Sequence, residues 1–231
     1  MSNHLLSRIW HYILVLLPLS AVFTFILTLI VCNSKRNFDL HDLPQISQLG
    51  IGVTYRLFAI GVAILALQLF GILIGRHIYL LHIIKPLFSL WINVYLYLQL
   101  AVGFVAIVFM LLMAFVDVSK NRIPHLIGAF TMFGLIVIYL FLHTALALYL
   151  YTQRRIYNQK LDIAFMILPI FYSLCSISAI ICVAIWITTA NSIAQYAASG
   201  IPFLYFVVFI HGFWKTRNGF NNLQKVNLTS L

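Results

Sequence analysis

Six long apolar stretches determine which solvent this chain can fold in. The hydrocarbon core of a bilayer is about 30 Å thick, and a helix needs roughly 20 mostly apolar residues to cross it. The sequence predicts such helices at residues 11–32, 55–75, 92–116, 125–151, 164–187 and 194–214. Membrane barrels use alternating strands of only about 10 residues. We therefore expect an all-α polytopic membrane protein with six transmembrane helices in a single domain.

The composition supports this choice of solvent. Hydrophobic residues make up 63% of the chain, charged residues make up 8%, and the mean hydropathy is +1.04. So little polar surface cannot coat a water-soluble globule. The first apolar stretch exceeds the roughly 7–15 residues of a signal-peptide core and lacks a clear cleavage site, so we expect it to be a retained helix.

The positions of lysine and arginine predict the orientation, because cytoplasmic loops are enriched in these residues. An N-terminus in the cytoplasm gives the inner side nine cations, at positions 8, 76, 85, 154, 155, 160, 215, 217 and 225. The outer side then has five, at positions 35, 36, 56, 120 and 122. We therefore expect both termini in the cytoplasm and residues 215–231 to form a flexible tail. Arg76 falls in a predicted loop at the membrane interface.

The net charge of +10 has two interpretations. Clustered cations are typical of nucleic-acid binding, but here they are spread thinly over loops. We expect no nucleic-acid partner. The basic inner loops instead favour contact with anionic phospholipid on the cytoplasmic side. Other membrane lipids and membrane proteins are the remaining expected partners.

Acidic residues are nearly absent, which limits the chemistry of the spans. The chain has no glutamate, and its four aspartates fall in loops or at span ends. Ion-coupled transporters commonly need intramembrane carboxylates. No signature of a metalloprotease or serine hydrolase occurs either. The sequence therefore predicts a protein without enzymatic activity, cofactor or metal. The cluster of Asp39, His41 and Asp42 favours a solvated loop over a cation site.

The fourth predicted helix has a polar stripe. His125 and His143 are 18 residues apart, so they share a face and lie roughly 27 Å apart along the axis. Tyr139 lies near the same stripe. We favour a seam that packs against other helices over a polar track for solutes. On the second helix, Gly71 and Gly75 form a small-xxx-small pattern that favours close helix contact.

The loop after the first helix contains Pro44-Gln45-Ile46-Ser47-Gln48-Leu49-Gly50. Pro44 and Gly50 are expected to bracket a turn, since proline fixes φ and glycine permits positive φ. A structural loop and a recognition surface are equally compatible with this segment.

This loop and the start of the fourth helix together resemble a known family. The loop motif is Pro44, Ile46, Ser47 and Gly50, and the helix motif is His125, Gly128 and Ala129. In their order and spacing, within a six-span layout, they resemble the Frag/DRAM/Sfk family. The resemblance covers nearly the whole chain. Two departures are the segment at residues 51–54, where family loops are often proline-rich and acidic, and the last helix, which lacks the glutamate of many members.

The resemblance implies a role in membrane homeostasis. Family members include lysosomal autophagy modulators, a Golgi factor for lipid remodelling of GPI anchors, and plasma-membrane proteins that influence phospholipid asymmetry. We expect a non-enzymatic endomembrane protein, lysosomal in the first instance, that modulates autophagy or membrane lipid organisation. A Golgi or plasma-membrane location, a role in GPI-anchor remodelling, and a transporter or channel activity are the alternatives.

Overall fold

The computed structural model describes residues 2–36, 44–84, 90–156 and 163–214, and the regular structure in these ranges is helical. The elements are α1 (Ser2–Arg36), α2 (Ile46–Leu49), a 3₁₀ turn (Gly52–Thr54), α3 (Tyr55–Ile84), α4 (Leu90–Phe115), α5 (Arg122–Ile156), α6 (Ile163–Thr189) and α7 (Ser192–Val207). After a turn at Val208, residues 209–214 continue as helix. Asp39, His41, Asp42 and the tail at 215–231 lie outside the described residues.

Six of these helices are long and apolar enough to cross a membrane. This confirms the predicted all-α polytopic fold. Each long helix packs against the next one along the chain, and α7 also packs against α1. The six helices therefore form a closed ring, with their most deeply buried side chains, such as Ile72, Leu140 and Phe209, on its inside.

Glycines on α3 allow α1 to approach closely. A Cβ atom added to Gly71 would lie 2.6 Å from the side chain of Leu17, and one on Gly75 would overlap Leu14. Side-chain carbon atoms do not approach this closely in folded proteins, so these positions require glycine or a displaced neighbour. The close helix contact predicted from the glycine spacing is confirmed.

Helix α3 is longer than the sequence predicted, and this overturns the position assigned to Arg76. The helix runs without interruption to Ile84, so Arg76 lies within it and only 8% of its surface is exposed. No proline occurs between Tyr55 and Ile84, and arginine is a good helix former. The prediction of an interfacial loop beginning at Arg76 was therefore wrong. Arg76 cannot count as a loop cation, and the orientation of the termini stays a prediction.

Two tight turns hold one end of the ring together. Between α6 and α7, Ala190 adopts a positive φ of 53°, and the Asn191 side chain accepts a hydrogen bond from the Ala194 N–H at 3.0 Å, which caps α7. Between α4 and α5, Asp117 Oδ1 accepts bonds from the N–H and hydroxyl of Ser119. These bonds favour the carboxylate and lower the pKa of Asp117.

Candidate functional site

The loop motif folds into a one-turn helix, α2, that docks on the turn between α6 and α7. The backbone N–H of Ile46 donates to Gln195 Oε1 at 2.9 Å, and the Gln45 side-chain amide donates to the Ala190 carbonyl at 3.0 Å. The Gln45 backbone N–H donates to Gln48 Oε1 at 2.9 Å. These bonds satisfy α2 donors that have no partner within so short a helix. The loop is therefore fixed on the end of the ring.

Glycine serves different purposes at two positions of this loop. The prediction that Gly50 supplies a positive φ was wrong, because its φ is −91°. A Cβ atom at Gly50 would lie 2.7 Å from the Phe58 ring, so glycine is needed for this close contact. The positive φ, 66°, occurs two residues later at Gly52. The predicted turn around Pro44, which is buried, is the α2 turn itself.

An apolar cavity of about 120 Å³ lies inside the ring beneath α2. Residues of both sequence motifs line it. They are Ile46 and Ser47 of the loop motif, and His125 and Ala129 of the helix motif. Tyr139 of the predicted polar stripe lines the same cavity. The rest of the lining is mostly aliphatic and aromatic, with a few polar groups such as Gln195 and Ser199. The ring therefore brings together residues that are far apart in sequence.

His125 has an unused nitrogen atom in this region. Only 3% of its surface is exposed. Its Nδ1 lies 2.8 Å from the Val116 carbonyl, and since a carbonyl only accepts, Nδ1 is the donor. In the neutral ring Nε2 is then an acceptor, and this buried atom has no hydrogen-bond partner within the described ranges. Buried polar atoms in folded proteins usually have a partner, so this one is suited to a donor group of a bound molecule.

Gly128, the third residue of the helix motif, has a packing role. A Cβ atom at this position would lie 3.0 Å from the backbone nitrogen of Met113 and 3.3 Å from its Cα. The neighbour is backbone of α4, which cannot move aside as a flexible side chain can. Gly128 therefore sets the distance between α4 and α5 on one side of the cavity.

His143, the other end of the polar stripe, lies in a hydrogen-bond network away from α2. Arg76 Nε donates to His143 Nε2 at 2.9 Å, so this nitrogen must be an acceptor. His143 Nδ1 therefore carries the proton and donates to the Tyr205 hydroxyl at 2.7 Å. Thr144 lies 3.0 Å from the same hydroxyl and 2.8 Å from the Ser176 hydroxyl. The hydrogen bond from Arg76 thus fixes the donor and acceptor roles of His143, and the network links side chains of α3, α5, α6 and α7.

Aromatic rings surround this network. The His143 ring lies 5.0 Å from the Tyr172 centroid and 4.9 Å from the Phe209 centroid. The guanidinium carbon of Arg76 lies 4.4 Å from the Phe209 centroid and 4.9 Å from that of Tyr79. The rings attract the cation and pack around the hydrogen bonds. The network is therefore a dense cluster.

Sequence reasoning found only part of these two regions. It singled out Tyr139 and His143 but missed Tyr205, Gln195 and the burial of Arg76. The available signal was that the mostly apolar stretch continues past Arg76, with no proline or glycine from Arg76 to Lys85. Within the ranges described, no group of three or more potential metal ligands is close enough to hold an ion.

Comparisons with known proteins do not assign the chain to a family. No protein-family profile, curated protein or solved structure matches it. The six apolar helices indicate a multi-pass membrane bundle. The sequence resemblance to the Frag/DRAM/Sfk family stays a prediction.

Proposed function

We propose that this protein takes part in membrane lipid organisation by holding an apolar segment of a lipid in the central cavity. The observation that carries the proposal is the cavity beneath α2, which both sequence motifs line. Ligand sites in helical bundles are typically apolar cavities with a few convergent polar groups. Nε2 of His125, which has no partner among the described residues, and the Gln195 and Ser199 side chains supply such groups.

The size of the cavity limits what it can hold. Its volume of about 120 Å³ is close to that of an engineered cavity, roughly 150 Å³, that stays dry and binds benzene. A whole phospholipid does not fit. Several methylene groups of an acyl chain do, with a hydroxyl or amide near His125. A neutral lipid that presents one chain and one hydrogen-bond donor meets both requirements.

Photocrosslinking of the purified protein tests this proposal. The probe is a diacylglycerol with a diazirine in one acyl chain, and mass spectrometry maps the labelled peptides. We expect label on α5 and α7 segments that line the cavity. Ala129→Leu should remove most of this label because Ala129 lines the cavity and is buried. Its unfolding temperature should stay close to that of the wild type, since the added atoms fill empty space.

Gly134→Leu is the matched control for this experiment. Gly134 lies on the same helix, and a Cβ atom there meets nothing within 4 Å. The substitution adds the same kind of bulk without entering the cavity, so labelling should be unchanged. Label confined to the outer surface of the ring, or equal label in Ala129→Leu and wild type, would contradict the proposal.

The cellular setting that the sequence resemblance implies is autophagy or lysosome function. We propose that the protein is lysosomal and that cells lacking it have altered autophagic flux or an altered distribution of phospholipids between leaflets. Imaging the tagged protein tests the location. A Golgi location with altered lipid moieties on GPI anchors would instead favour anchor remodelling, and mass spectrometry of the anchors measures this directly.

A further inference from the structure

At the end of the ring opposite α2, Arg76 is a buried positive charge that has no acidic neighbour among the described residues; Asp162, just before α6, lies outside them. Within the described ranges the one acidic residue is Asp117, in the turn after α4. The Tyr55 hydroxyl, at the start of α3, bonds to the Phe115 carbonyl at the end of α4. Arg76 lies 21 residues further along α3, which is roughly 31 Å at 1.5 Å per residue. Asp117 is therefore too far away to neutralise Arg76.

Among the described residues, Arg76 uses only part of its hydrogen-bonding capacity. A guanidinium has five N–H donors in one plane. Nε donates to His143, and neither Nη1 nor Nη2 donates to an acceptor in the part of the chain that the structure describes. Phe209 and Tyr79 lie against the guanidinium within 5 Å of its central carbon. The four remaining N–H groups are therefore available to an acceptor in the guanidinium plane.

A small cavity lies beside this guanidinium. It has a volume of about 50 Å³, and Arg76, Tyr172, His211 and Gly212 are among its lining residues. One water molecule needs roughly 10–15 Å³ of such volume, so there is room for a larger polar group. A Cβ atom on Gly212 would lie 3.1 Å from Arg76 Nη1. Glycine thus keeps the space next to the guanidinium clear.

The depth of the cavity suits a lipid headgroup. The candidate membrane span of α3 runs from Gly52 to Leu81, so Arg76 is only five residues from the end of the span, near one membrane interface. Aliphatic side chains of α5 and α6, including Leu150 and Leu168, line the cavity beside the polar groups. A ligand here would meet a cation at one end and hydrocarbon at the other.

We propose that Arg76 binds the phosphate of an anionic phospholipid in this cavity. The planar N–H groups match the spacing of two phosphate oxygens, and the negative charge compensates a buried cation that has no counter-charge among the described residues. His143 holds the guanidinium in position through Nε. This site uses different residues from the central cavity, so it does not depend on the function proposed above.

Native mass spectrometry of the purified full chain tests the proposal. The protein is mixed with equal amounts of dioleoyl phosphatidic acid and dioleoyl phosphatidylcholine. We expect the wild type to retain the acidic lipid in roughly tenfold preference or more, as one or two charge-assisted hydrogen bonds would give. Arg76→Met should lose this preference. Arg56→Met is the matched control, since Arg56 is an exposed arginine on the same helix.

A second arm separates a lipid headgroup from a free anion. Inorganic phosphate is titrated while the unfolding temperature is measured. An Arg76-dependent rise with phosphate, but no preference for phosphatidic acid, would overturn the lipid assignment and leave a site for free oxyanions. No lipid preference and no effect of phosphate in the wild type, or an unchanged preference in Arg76→Met, would overturn the proposal.

Two further variants cover the case in which Arg76→Met does not fold. Arg76→Lys keeps the positive charge but loses the planar arrangement of donors, so the preference for phosphatidic acid should fall without disappearing. Gly212→Leu leaves Arg76 in place and fills the space beside it, so it should reduce lipid retention as strongly as loss of the arginine. Full retention in Gly212→Leu would contradict a phosphate bound in this cavity.

Discussion

The two ends of the ring treat buried polar groups in opposite ways. Near α2, the cavity is mostly apolar, and one nitrogen of His125 has no hydrogen-bond partner among the described residues. At the other end, His143 uses both nitrogens, and it connects a cation to the Tyr205 hydroxyl. Both histidines are on α5 and both are at least 97% buried. A buried histidine whose two nitrogens are both hydrogen-bonded stabilises a network, whereas one with a free acceptor nitrogen is suited to bind a ligand.

Removing His143 should disrupt the hydrogen-bond network around Arg76 and have the largest effect on stability. His143→Leu deletes the one acceptor of Arg76 within the described ranges and leaves a buried cation with no partner there. Hydrogen bonds to charged groups contribute about 1.5–3 kcal/mol, and a charged donor left buried without a partner costs at least as much. We expect a large fall in the unfolding temperature in detergent. The double variant Arg76→Met/His143→Leu should recover much of it, because both polar groups are then replaced by apolar ones.

His77→Leu is the control for this variant. His77 is on α3 next to Arg76 but is only partly buried, and its ring lies 5.0 Å from that of Tyr97. Its loss should change stability much less than the loss of His143. An equal effect of the two substitutions would show that the network contributes nothing specific to stability.

A change at Gly128 should have the next largest effect, and it tests the packing beside the cavity. Gly128→Ala brings a methyl group within 3.0 Å of the Met113 backbone, so α4 and α5 must separate. Such overpacking typically costs about 1–3 kcal/mol. Gly134→Ala meets open space, and it should stabilise α5 by up to about 1 kcal/mol through helix propensity. Thermal unfolding in detergent of both variants measures the contrast, and equal shifts would contradict it.

The smallest expected effect comes from the turn on which α2 docks. Asn191→Ala removes the side-chain acceptor of the Ala194 N–H at the start of α7. Loss of a helix cap costs about 1 kcal/mol. Ser192→Ala, one residue later, is the control and should be nearly silent, since Ser192 is only partly buried and its hydroxyl makes no hydrogen bond within the described residues. An unchanged unfolding temperature in Asn191→Ala would mean that this cap does not stabilise the fold.

Much of the fold could be predicted because its signals are local. The six apolar stretches and the close contact at Gly71 and Gly75 follow from hydropathy and residue size along one helix. The helix ends were less predictable. The stretch from His77 to Ile84 is continuous helix, although its histidines and the arginine before it had indicated a loop. Its exposure to solvent depends on what packs against it, which hydropathy does not record.

The candidate site was predicted only in fragments. The sequence predicted that Tyr139 and His143 share one face of a helix and that His125 lies at the far end of the same helix. Their partners come from other helices, as with Tyr205, which is 62 residues from His143 in sequence. No pattern in a single sequence relates such pairs. The separation of this stripe into a cavity wall and a buried network was therefore not visible in the sequence.

The sequence by itself determined the solvent, the number of spans and the scarcity of acidic groups, since these depend only on composition and on the length of apolar stretches. The tertiary structure decided the environment of each polar side chain. Arg76 is a buried cation and not a surface one, because the ring of helices brings His143 and aromatic rings around it. Burial and hydrogen bonding depend on which side chains are neighbours in space. The packing of the helices into a ring, which α7 closes against α1, determines those neighbours.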